Sequence, residues 1–176
     1  MTAKNEMSGG AAPMRWYGDR ATLSFIVLRY IPLFAALNLL WEIAQLPLYT
    51  LWTDSNPPQI AFAVAHCTLG DVAIGGAALI VALVITRAGS IETWRWGRIA
   101  AITTLMGAGY TAYSEWMNTV ALQSWSYSKL MPVLQVGEFA LGASPLLQWL
   151  LIPAITLWLA RVTLSRATLD SADSPP

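Results

Sequence analysis

The sequence predicts an all-α polytopic membrane protein, a four-helix transmembrane bundle with both termini cytoplasmic, and three observations carry that prediction. Hydrophobic residues make up 56% of the 176 and charged residues 11%, against about 25% charged in a typical soluble domain. Four apolar stretches of near-spanning length or more alternate with connections rich in turn formers. Lys and Arg concentrate on one side of that alternation. A mean hydropathy of +0.51 agrees with all three. Spans of about 20 residues each fill the chain and leave no room for a second domain. A nucleic-acid partner is not expected, because no dense basic patch is present to neutralise phosphates. Cys67 is the single cysteine, so no intrachain disulfide can form.

Residues 1–20 mix Gly9, Gly10, Pro13 and several charges without apolar periodicity and read as a cytoplasmic tail. The first apolar run starts near Leu23 and continues for a full span, unlike a cleavable signal. The single membrane domain, 21–161, then holds four spans. The first covers about 31–50, with Pro32 in its first turn and Pro47 predicting a kink near its far end. A turn cluster, Thr53-Asp-Ser-Asn-Pro-Pro58, leads to the second span at about 59–86, where Gly70, Gly75 and Gly76 offer close helix packing. A short loop with Arg87, Arg95 and Arg98 precedes the third span, about 99–118. Residues 119–143 form the one long connection, too apolar and aromatic for a solvated loop. They are expected on the membrane surface or folded into the bundle mouth. A five-span alternative would make Leu130 to Leu141 a re-entrant or spanning piece. The last span is placed at about 144–160, with Pro145 and Pro153 in it, followed by a polar cytoplasmic tail, 162–176.

Orientation follows from the cations. The amino-terminal segment, the middle loop and the carboxy-terminal end carry nine of the ten Lys and Arg, and the two remaining loops carry Lys129 alone. By the positive-inside rule both termini are cytoplasmic, in a membrane read as a bacterial inner membrane. The five-span alternative breaks that bias.

With orientation set, the polar residues of the spans gather at one depth near the outer face. Asn38, Glu42 and Gln45 stand at i, i+4 and i+7 on one stripe of the first helix. His66, the only histidine, and Asp71 lie on faces somewhat more than a quarter turn apart, an angle at which both can line one cavity. Glu115 falls near the outer end of the third span, with Tyr113 beside it, and Gln148 near the outer start of the fourth. Amides and hydroxyls at such depth commonly serve as interhelical hydrogen-bond glue. Ionisable groups there are costly and tend to mark sites.

Several chemistries fit these residues. In an enzyme, Glu115 acts as base with Glu42, His66 and Asp71 as further catalytic groups, on a lipid-linked or amphipathic substrate entering from the outer leaflet. A divalent metal on His66 with Glu42, Asp71 or Glu115 is a weaker expectation, since there is no second histidine and no His-Glu-x-x-His pattern. A proton- or cation-coupled carrier would need a dimer, four spans being few for alternating access. An accessory subunit of a membrane complex would use the aromatic loop as its contact. A pigment or haem protein would take His66 as axial ligand, and bis-His ligation would then need two chains.

A His-bearing span (Ala65-His66-Cys67, Leu69-Gly70) is followed, after a basic loop, by a Tyr-x-x-Tyr-x-Glu span from Tyr110 to Glu115. This order resembles VanZ-like small membrane proteins over residues of about 60 to 118. The last span departs from that family's Asp-x-x-x-Asn-x-x-Gly, having Ser144-Pro-Leu-Leu-Gln148 instead, and no functional residue is carried across. More broadly, the chain resembles small multi-pass proteins of bacterial inner membranes.

Overall fold

A computed structural model describes residues 15–172, with side-chain surroundings through residue 164. The expected tails lie outside these residues at positions 1–14 and 173–176. Four long helices dominate: α1 (Arg20–Leu48), α2 (Pro57–Ile85), α3 (Trp96–Trp116) and α4 (Ala143–Ala172). They close a ring in which α1 packs on α2, α2 on α3, α3 on α4 and α4 on α1.

Helix α1 starts about ten residues before the expected position because Asp19 caps it. The Asp19 carboxylate accepts from the backbone N–H of Ala21 and Thr22, satisfying donors that a helix start leaves orphaned. Pro32 therefore falls inside the helix rather than in its first turn. A π turn at Ile26–Tyr30, with the Ile31 N–H bonded back to Ile26, widens the ladder just ahead of this donorless residue. Near the other end, Pro47 ends the α geometry at Gln45 and leaves a 3-10 turn, Leu46–Leu48, as its position predicted.

Helix α2 opens on a reciprocal cap in which the Asn56 side chain accepts from Gln59 N–H at 3.0 Å and the Gln59 side chain accepts from Asn56 N–H at 3.1 Å. Helix α3 runs into a π turn at Met117–Ala121. Beyond it the long connection folds as a crossing strap and a ribbon, so Leu130 to Leu141 is neither a re-entrant helix nor a span. Strands β1 (Val133–Val136) and β2 (Phe139–Gly142) pair antiparallel, Val133 opposite Gly142 and Val136 opposite Phe139. Gly137, at φ +61°, makes the two-residue turn between them. Helix α4 follows directly and does not stop near Ala160. It continues through Ala172, over much of the stretch expected to be a polar tail, because no Gly or Pro follows Pro153 before Pro175.

Three helical segments are long and apolar enough to cross a membrane: Arg20–Leu48, Pro57–Ile85 and Ala143–Leu164. Helix α3 is less apolar because its buried face carries Thr103, Thr111 and Glu115. The main core lies toward the end of the bundle that holds Asp19. There Phe25 meets Trp94 and Trp96 edge-on, and Tyr30, Leu79, Leu83, Ile99 and Ile152 are buried together.

Candidate functional site: a layer of acids and amides over an aromatic floor

The helical repeat turns Asn38, Glu42 and Gln45 toward one side of α1, where α2 and α4 meet them. Gln148 of α4, 2% exposed, is the hub. Its amide nitrogen donates to Asn38 Oδ1 at 2.8 Å, to Asp71 Oδ2 at 2.8 Å and to Glu42 Oε1 at 3.2 Å. Gln45 donates to Glu42 Oε1 at 2.9 Å and approaches Gln148 Oε1 at 3.4 Å. Ser144 donates to Gln45 Oε1 at 2.9 Å and accepts from the Trp41 indole at 3.2 Å. The carboxyls of Glu42 and Asp71 come together across the α1–α2 contact at the Gln148 amide that both accept from.

Glu115, 5% exposed, stands next to this network on α3. Its Oε2 accepts from Tyr127 at 2.5 Å and its Oε1 from Tyr49 at 3.5 Å. The buried indole N–H of Trp125 lies at the same carboxyl without closing to hydrogen-bond geometry. Burial first, and the adjacent Glu115 carboxyl second, push the Tyr127 phenol above its ordinary range and keep it a donor. Cys67 and Tyr49 are both within electrostatic reach of Glu42 and Glu115. The acids of three helices therefore lie within electrostatic reach of one another.

The strap holds Tyr127 in place. Thr50 N–H donates to Ser126 C=O at 3.0 Å and Ser128 N–H donates to Leu48 C=O at 2.9 Å, fastening the strap to the end of α1. Tyr127 itself accepts from Gly142 N–H at 2.9 Å, at the root of the ribbon.

Beneath the layer lies a floor of two rings, each seated on a glycine. Phe34, one turn below Asn38, fills the place of a side chain at Gly75, and Trp149, next to Gln148, fills it at Gly107. The rings meet at 5.9 Å between centroids. Any Cβ at either glycine would overlap the ring, so the helices close only because both side chains are missing.

Two residues expected in this layer stand elsewhere. His66 is exposed and stacks on Phe62 at 5.7 Å. Five residues of helix separate it from Asp71, roughly 140° of rotation, and with Asp71 turned inward that angle carries the imidazole out. A metal held by His66 with Glu42, Asp71 or Glu115 is thus not assembled. Among the described residues no trio of His, Cys, Asp or Glu groups into a metal site. Tyr113 is exposed against Tyr110 and Trp116, since two residues place it roughly 200° from the inward Glu115. Conversely, Tyr49 and Tyr127 carry no spacing signal, because 66 residues separate Tyr49 from Glu115 along the chain. The aromatic character of the long connection was the one hint. Thr68, the residue after Cys67 on α2, keeps a buried hydroxyl without a partner among the described residues.

No family model, curated protein or solved structure matches the chain.

Proposed function

We propose that the chain is a four-span protein of a bacterial inner membrane, with both termini cytoplasmic, whose polar layer is an outward-facing acid–base site for an amphipathic or lipid-linked substrate. Helix α3 is its fourth span, its polar face turned inward. Glu115 is the proton acceptor, Tyr127 and Tyr49 orient its carboxyl, and the Glu42–Asp71 pair stores a proton beside it. The observation that carries this reading is the convergence of Glu42, Asp71 and Glu115 from three helices above a floor that separates them from the opposite half of the bundle. Protons reach the acids, on this reading, from the side of the strap, the Phe34–Trp149 pair standing on the other.

The test uses purified protein in nanodiscs containing bacterial lipid extract, read by mass spectrometry of the lipid-linked species. The wild-type chain is expected to convert one species, and Glu115→Gln, matched in yield and melting temperature, to leave it untouched. Equal conversion by the variant removes Glu115 from the role.

A second reading, a proton- or cation-coupled carrier acting as a dimer, draws on the Glu42–Asp71 pair. It requires flux across liposomes that Glu42→Gln abolishes, and it requires the Phe34–Trp149 floor to part.

A further inference from the structure

We propose that the β1–β2 ribbon is a membrane-dipping element, its apolar face resting on the lipid of the outer leaflet beside the strap that holds Tyr127. The pairing sets its two faces. Leu134 lies opposite Leu141 and Val136 opposite Phe139, so these four apolar side chains share one face, while Val133, Gln135, Ala140 and Gly142 share the other. At the root, Leu141 is 7% exposed where β2 packs on α3. Across from it Leu134 is 53% exposed, and toward the tip Val136 is 45% exposed beside a half-buried Phe139.

Lipid is the occupant for two reasons. The ribbon grows out of helix ends whose outward side chains are themselves apolar and exposed, Val120 and Leu122 beyond α3 and Leu147 and Leu150 on α4. The ribbon joins α3 to α4 and so stands at the same end of the bundle as those side chains. The two charged residues of the connection, Lys129 and Glu138, fall outside the paired strands, at the strap and at the turn. That is the arrangement of an element lying in an interface, with apolar groups inward and charges at head-group level. A polar subunit surface would leave Leu134 and Val136 unmatched.

The inference rests on the outward orientation proposed above, and the experiment separates the two. Single cysteines at positions 133, 134, 135 and 136, in a Cys67→Ser background, are labelled with an environment-sensitive fluorophore in liposomes carrying spin-labelled lipid. Quenching by lipid at 134 and 136, several-fold stronger than at 135, is the expected result. Equal access of all four labels to aqueous iodide would overturn the proposal. So would protection of 134 and 136 from both quenchers, which would mean that protein covers them. A membrane-impermeant thiol reagent at 135 reports orientation independently. Reaction from the cytoplasmic side alone would sink the topology, while the alternation along β1 could still be read.

Discussion

At the scale of single residues, the site depends on an amide that serves two acids. Gln148 cannot be replaced by a hydrocarbon side chain without stripping donors from Asn38, Glu42 and Asp71 together. Leaving buried acceptors unsatisfied costs about 1–3 kcal/mol, so Gln148→Leu should lower stability by that amount. Thermal unfolding in detergent measures it, and an unchanged melting temperature would mean that the layer is not cooperative. Asp19 makes a different prediction. Hydrogen bonding from the Thr22 hydroxyl, outweighing partial burial and helped by the N–H groups of Ile91, Thr22 and Ala21, holds its carboxyl below the ordinary value of 3.8. A depressed folded value means that the stabilisation is complete above the unfolded value and disappears as pH falls through the folded one. Asp19→Ala should therefore cost about 1 kcal/mol at neutral pH and progressively less in acid, as paired melting curves would show. The stripe of Asn38, Glu42 and Gln45 was legible in sequence because three residues at helical spacing must share a face. His66 was misjudged because its angle to Asp71 admits either assignment until α1 fixes which way α2 turns.

At the scale of elements, the closeness of the helices is set where side chains are missing. Gly107→Ala places a methyl group into the Trp149 ring, and Gly75→Ala places one into Phe34. Overpacking of this kind costs about 1–3 kcal/mol, so each variant should melt lower, while Gly109→Ala, with open space around it, should not. Equal melting of all three would show that the floor yields. The sequence suggested that small residues on α2 permit close packing, but not which glycine meets which ring, since that depends on how far the helices slide along one another. The ribbon was illegible for a related reason. Its strands are four residues each, and the Gly137-Glu138 turn between apolar runs was its one local sign.

At the scale of the whole molecule, composition and periodicity announced a helical chain with membrane-crossing stretches, and the described residues include three such helices. Orientation is a separate matter, because it depends on cations in loops rather than on packing. Reporter fusions at Asn56 and Ser126 should read outside and one at Thr93 inside. The opposite pattern would put the strap and the acids on the cytoplasmic face and end the reading of an outer-leaflet substrate. The meeting of acids from separate helices could be anticipated from their shared depth. The two tyrosines that hold Glu115 could not, because they reach it through a strap whose path no local preference specifies.

The amide nitrogen of Gln148 bears two hydrogens and faces three oxygens. Glu42 Oε1 also accepts from Gln45, so the two hydrogens suffice for Asn38 and Asp71, the nearer acceptors. Replacing Gln148 by Glu would withdraw both hydrogens from Asn38 and Asp71 while Glu42 kept the Gln45 amide, so one substitution would part the two acids in their response.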